Sequence, residues 1–187
     1  MKIKVNDKRT ITGWAFFDWA NSAYSLVIST AIFPIYFIAI TNDTVDVLGY
    51  SISNSALYSF LVSSAFIIVA IFSPLLGGIA DYGDKRRFFM RLFSTVGAIA
   101  CVFLFFFKNH FDILLGSIAF GVATIGHAAS IIFYDAYLPE IATPDQYDRV
   151  SAKGFAFGYI GSVILLLFII FMSLNPEVFH LPSESSL

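Results

Sequence analysis

Five long, almost uncharged stretches limit what this chain can become: residues 13–40, 56–80, 88–107, 111–134 and 154–174. Each meets the ~20 helical residues that cross a ~30 Å hydrocarbon layer. In lipid every backbone N–H and C=O needs an internal partner, so a spanning segment is a helix or part of a closed barrel. Barrel strands alternate over ~10 residues, and no such alternation runs through these stretches. The expected fold is an all-α membrane protein, a bundle of about five transmembrane helices. Composition agrees, since 58% of residues are hydrophobic and 13% charged, against roughly 25% charged in a soluble domain. The lipid bilayer is the first expected partner. A net charge of −2 points to no charged partner, and nucleic acid is not expected as one. Cys101 is the single cysteine and lies in an apolar run, which leaves no disulfide framework and no cysteine-rich metal site. Residues 1–12 are basic, but the apolar run that follows outlasts a signal peptide and lacks a small-residue cleavage site before its end, so it is expected to stay as the first span.

Charge orients the bundle, because lysine and arginine are retained on the cytoplasmic side. The polar connectors are 41–55, 81–87, 108–110 and 135–153, followed by a tail, 175–187. With residues 1–12 inside, ten of the 11 basic residues are inside: Lys2, Lys4, Lys8, Arg9, Lys85, Arg86, Arg87, Arg91, Arg149 and Lys153. Only Lys108 is outside. The tail, with Glu177 and Glu184, is then external. An odd number of spans followed by a polar tail suggests a fragment.

The first span carries Asp18, a carboxylate that costs roughly 2.5–3.5 kcal/mol at the centre of a membrane helix. At 100° per residue Asp18, Asn21, Ser22, Ser25, Ser29 and Tyr36 share one side, with Val27 opposite. Such a stripe either lines a water-filled path or bonds to neighbouring helices. Pro34 removes a backbone donor and should kink the span. In the fourth span Phe120, Thr124, His127, Ile131 and Tyr134 recur at helical spacing, with Ser130 beside them and Asp135 at the inner end. His127, near mid-membrane, can bond a substrate, carry a proton, or simply bond a neighbouring hydroxyl. Asp135 can equally end the helix in headgroup water.

The connector after the second span reads Gly77-Gly78-Ile79-Ala80-Asp81-Tyr82-Gly83-Asp84-Lys85-Arg86-Arg87. Asp81 stands at a helix C-terminus, where the macrodipole disfavours an anion, and so calls for a positive partner such as Lys85 or Arg86. The fifth span offers Gly154, Gly158, Gly161 and Ser162, a small-residue surface suited to close helix packing. No enzyme constellation occurs: there is no phosphate-binding glycine loop, HExxH, GxSxG or metal-spaced Cys/His set. No cofactor, metal or enzymatic activity is expected.

The 77–87 connector resembles the signature loop of the major facilitator superfamily. Gly77, Asp81, Lys85 and Arg86 match its pattern, whereas Asp84 stands where glycine is usual. More specifically, Gly13-Trp14-Ala15-Phe16-Phe17-Asp18-Trp19-Ala20-Asn21-Ser22-Ala23-Tyr24 is similar to the opening of the vacuolar amino-acid effluxer-like (unknown major facilitator) family. So are the stretches from Phe133 to Ile141 and from Asp148 to Tyr159. The resemblance implies the first half of a twelve-helix transporter, lacking helix six, whose first and fourth helices line a central path. It implies a small-molecule substrate such as an amino acid and the remaining C-terminal half of the transporter as partner, and Asp18 or His127 could carry a coupled proton. The expected path residues are Asp18, Asn21, Ser22, Ser25, Tyr36, Thr124, His127 and Tyr134. Gly77, Asp81, Lys85 and Arg86 are the expected cytoplasmic latch. The membrane is the inner membrane if the source is bacterial and the vacuolar membrane if fungal. A fourth span without arginine and a fifth without a proline-containing glycine motif argue against multidrug efflux. The rival readings are a non-transporting scaffold or assembly subunit and a half-size dimerising pore.

Overall fold

The computed structural model describes residues 4–47, 49–82 and 85–179, with the side chains of 81 and 82 left aside. Lys2, Gly83, Asp84 and Glu184 therefore lie outside the described residues, as does the Asp81 side chain. Five helical segments are long and apolar enough to cross a membrane: Lys8–Ile40, Asn54–Ala80, Arg86–Phe106, His110–Ile141 and Pro144–Leu174. They form an all-helical membrane bundle. Its elements are α1 (Lys8–Ala23), a π-helical stretch (Tyr24–Ile32), α2 (Phe33–Ile40), α3 (Asn54–Tyr82), α4 (Arg86–Phe103), α5 (Ile113–Ile141) and α6 (Tyr147–Leu174). Several ends extend past the apolar runs. The longest extensions are in α5, which continues through Asp135 to Ile141, and in α6, which begins at Tyr147, because a helix in water keeps its own hydrogen bonds while its side chains turn polar.

The helix α5 is central. In its most apolar window 44% of residues are buried, against 11–17% in the other four spans, whose outer faces carry the large exposed apolar side chains expected to meet lipid. Small residues allow α4 and α5 to approach: a Cβ added at Gly126 would stand 2.7 Å from the Gly97 backbone and from the Phe93 carbonyl. On the opposite flank α6 packs against α1 through its expected small-residue face, Gly154, Gly158, Gly161 and Ser162, all buried. A Cβ at Gly161 would stand 2.5 Å from the Trp19 ring, and one at Gly158 would stand 2.6 Å from the Ser22 hydroxyl.

Two aromatic clusters hold the ends. At the basic end the Trp14 indole stacks on Tyr134, with centroids 4.0 Å apart, and its Nε1–H donates to the Tyr134 carbonyl at 3.0 Å. At the other end Phe33, Phe37, Phe107 and Phe120 are buried together, Phe33 stacking on Phe120 at 4.4 Å.

The first span departs from the straight wheel assumed for it. Its middle, Tyr24–Ile32, is π-helical, so side chains after Ala23 advance by less than 100° per residue. Val27, expected opposite the polar stripe, is fully buried, because this span meets α6 on one side and α3 and α5 on others. Pro34 lies inside the continuous span, at the point where the winding changes from π to α. A second difference lies in the connector 41–55, which holds a small antiparallel hairpin. Its strands β1 (Thr44–Val47) and β2 (Tyr50–Ser53) pair Val45 with Ile52, and Gly49 takes φ +85° beside the turn.

The start of α1 provides a test of local structure. The Asp7 carboxylate accepts from both the Thr10 N–H and the Thr10 hydroxyl at 2.9 Å, capping the helix. The Thr10 hydrogen bonds hold its carboxyl below the usual range. A carboxyl lowered on folding stabilises above its unfolded-state pKa and loses that contribution as pH falls through the folded one. Asp7→Ala is therefore expected to speed hydrogen exchange at the Thr10 amide at neutral pH, with the two proteins converging in acid. Equal protection at neutral pH would show the cap to be inert.

Candidate functional site

Two cavities open inside the spanning bundle, and His127 on α5 borders both. The first, about 320 Å³, lies between the first span, α5 and α6. Asp18, Ser22, Ser25 and Thr30 line it from one side, and His127, Tyr134 and Asp135 from α5. Gly158 and Ser162 of α6 complete its wall. The Ser22 hydroxyl donates to the Asp18 carboxylate at 3.2 Å, one helical turn away. Because Gly158 has no side chain, α6 comes so close that a Cβ there would stand 2.8 Å from Asp18 Oδ2.

The second cavity, about 330 Å³, lies between the first span, α4 and α5. Asn21, Tyr24, Cys101 and His127 give it a mixed lining. The Ser130 hydroxyl donates to Asn21 Oδ1 at 3.3 Å, and also to the His127 carbonyl at 2.8 Å. The Tyr24 ring lies tilted by 38° against His127, with centroids 4.9 Å apart. Its hydroxyl shares a 2.7 Å hydrogen bond with Thr124.

Two buried polar atoms here lack a hydrogen-bond partner among the described residues, His127 Nδ1 and the Tyr134 hydroxyl. Burying such atoms without a partner costs on the order of 1–3 kcal/mol each, and both residues border the first cavity.

The structure thus brings together Asp18, Ser22, Ser25, His127 and Tyr134 and places Asn21 on the far side of His127. It separates the other two expected path residues from them. Thr124 is 1% exposed and borders neither cavity, since its hydroxyl is used by Tyr24 and by donation to the Phe120 carbonyl. Tyr36 sits at the far end of the span, where its hydroxyl donates to the Phe107 carbonyl at 2.5 Å. Sequence reasoning did not place Tyr24 or Thr30 on the path, read Ser162 only as packing surface, and did not settle Asp135. Asp135 directly follows Tyr134 on α5 and, although exposed, borders the first cavity, the helix continuing past it to Ile141.

At the basic end Arg86 pairs with Glu140 of α5 at 2.8 Å. Arg87 donates through Nε to the Tyr137 hydroxyl at 2.5 Å and lies over its ring. Lys85 is exposed, and its backbone N–H donates to the Ala80 carbonyl at 2.9 Å. Gly77 lies within α3, with open space where a Cβ would be. The Asp81 side chain expected to complete this latch is outside the described residues.

A bundle of five spanning helices enclosing carboxylate, imidazole and hydroxyl groups defines a multi-pass integral membrane protein with a polar interior. The chain belongs to the vacuole effluxer Atg22-like family, whose model matches residues 6–186. Among curated proteins it is 34% identical over 175 residues to a Bacillus subtilis (strain 168) protein named uncharacterized MFS-type transporter YxiO. That alignment covers 92% of this chain and 40% of the relative. An uncharacterized protein of Aquifex aeolicus (strain VF5) is 28% identical over 171 residues, covering 89% of this chain and 39% of its own length. The chain therefore spans about two-fifths of the length of these relatives. No solved structure gives a significant match.

Proposed function

We propose that the chain forms the N-terminal part of a secondary active transporter that moves a small solute by alternating access, with an amino acid as the first substrate to test. The observation that carries this reading is the pair of polar cavities meeting at His127 inside the spanning bundle. A membrane protein that only packs its helices gains nothing from leaving a carboxylate and an imidazole beside open volume. The family adds support, and so does the name of the Bacillus relative.

In this reading Asp18, Asn21, Ser22, Ser25, His127 and Tyr134 border the path, while Thr124 and Tyr36 brace it from outside the cavities. Asp18 or His127 carries a coupled proton. The groups facing them are Asp135, Tyr134 and Tyr159 in the first cavity and Tyr24 and Cys101 in the second. Lys85, Arg86, Asp81 and Gly77 form the latch, with Glu140 holding Arg86. The basic end is cytoplasmic, which puts the protein in the inner membrane of a bacterial source or the vacuolar membrane of a fungal one. The partner completing the fold is a C-terminal half like that of the longer relatives.

The test is counterflow of labelled amino acids in proteoliposomes carrying the native gene product. Saturable flux is expected in the wild type. His127→Ala should lower it by about tenfold, the size of one lost buried hydrogen-bonding partner. Absence of saturable flux across the amino acids would remove the substrate choice, and full flux in His127→Ala would remove the histidine from the path.

A further inference from the structure

A third cavity, about 470 Å³, lies at the basic end between the first turns of α1 and α6. Lys8 and Thr12 of α1 border it, with Arg149 and Lys153 of α6 and the side-chain amides of Asn6 and Gln146. Every charged residue in its lining is basic. Three acids lie nearby in sequence: Asp7 caps Thr10, Asp145 accepts from the side chain of the lining residue Gln146 at 3.0 Å, and Asp148 is exposed in the first turn of α6. The Lys153 ammonium donates to the Thr12 hydroxyl at 2.8 Å and lies 5.6 Å over the Phe157 ring, contacts that position the charge without neutralising it. Among the described residues, neither Lys8 nor Arg149 has a hydrogen bond or ion pair through its side chain.

The walls are fixed. Asn6 donates its backbone N–H to the Ile141 carbonyl at 2.8 Å and exchanges two side-chain hydrogen bonds with Thr143, tying the start of α1 to the end of α5. Asn6 holds φ 61° to do so. The helix α6 begins without a side-chain cap and carries Asp148 in its first turn. Retention of cations on one side of a membrane explains how many basic residues lie at this end. It does not explain why three line one cavity whose own lining holds no acid.

We propose that this cavity binds a phosphate group, delivered as the headgroup of an anionic phospholipid. Both bordering helices begin here, at the junction of spanning segment and water, which is the depth of a headgroup. Ile11 and Val150 add an apolar surface beside the charges, suited to a ligand that is polar at one end only. The proposal is independent of the transport reading.

The test is native mass spectrometry of the purified chain in detergent with equal phosphatidylglycerol and phosphatidylcholine. Selective retention of phosphatidylglycerol is expected. Each cation near an anionic lipid contributes a factor of about five, so K8Q/R149Q/K153Q should weaken association by about a hundredfold. K8R/K153R should retain the lipid, and so should K108Q, whose charge lies at the other end of the bundle. If the triple variant does not fold, the exposed Arg149→Gln alone is read, with about a fivefold loss expected. Inorganic phosphate separates the sources. Displacement of the lipid and thermal stabilisation by millimolar phosphate would identify a free-anion site of the same chemistry, and retention of lipid in phosphate would identify the headgroup. Equal retention of both lipids without stabilisation by phosphate, or undiminished phosphatidylglycerol on a folded charge-free variant, overturns the proposal.

Discussion

Gly126→Ala is expected to lower stability by about 1–3 kcal/mol, the usual result of forcing a methyl group into filled space, and Gly126→Leu to prevent recovery of folded protein. The added Cβ would stand 2.7 Å from the Cα and N of Gly97 and from the Phe93 carbonyl oxygen, all backbone atoms that have no rotamer with which to yield. Relief requires moving α4 away from α5, which is the most extensive helix pairing in the bundle. Gly121 lies five residues earlier on the same helix, with nothing within 4 Å of its Cβ position. Gly121→Ala should therefore leave stability unchanged or raise it by up to about 1 kcal/mol, the helix-propensity gain of alanine where space is open. Thermal unfolding in one detergent, followed by size-exclusion recovery, compares the three variants. Equal melting of Gly126→Ala and Gly121→Ala would mean that α4 and α5 do not pack as closely as the glycines suggest.

Contacts of this kind mark the boundary of what the sequence makes legible. Five spans could be read because hydropathy over ~20 residues is an averaged property that tolerates local detail. The stripe Asp18, Ser22, Ser25 could be read because i, i+4, i+7 spacing places residues on one face whatever the neighbours are. The partner across that face could not. Nothing in the spacing of Thr124 says that Tyr24 will occupy its hydroxyl, and nothing in Tyr36 says that it reaches the Phe107 carbonyl. The π-helical stretch had no marker either, since Tyr24–Ile32 contains neither glycine nor proline. The hairpin did have one: the β-branched Val45 and Val47 alternate with Asp46 ahead of Gly49, a pattern easily passed over in a connector between spans. Asp135 was ambiguous because an acid followed by Pro139 and Glu140 resembles a helix end, although the backbone continues for a further turn and a half in α5.

Asp18 is where stability and function should diverge most. The residue is ten positions into α1, about 15 Å along the axis, and is 8% exposed. Replacing it with asparagine keeps the shape against Gly158 and keeps an oxygen to accept from Ser22, while removing the charge. A carboxylate within a membrane span costs up to roughly 2.5–3.5 kcal/mol, so Asp18→Asn should raise thermal stability, by on the order of 1 kcal/mol at this position. If the cavity is a transport path, the same substitution should lower saturable flux by about one hundredfold, the upper range for a lost charged hydrogen-bonding group. The two measurements have opposite expected signs, which separates this reading from a purely structural one. Were Asp18 only a packing residue, its removal would lower stability and flux together, through loss of folded protein. A more stable variant with unchanged flux would leave the carboxylate without a role in transport, and the search for the path would move to the Asn21 side of His127.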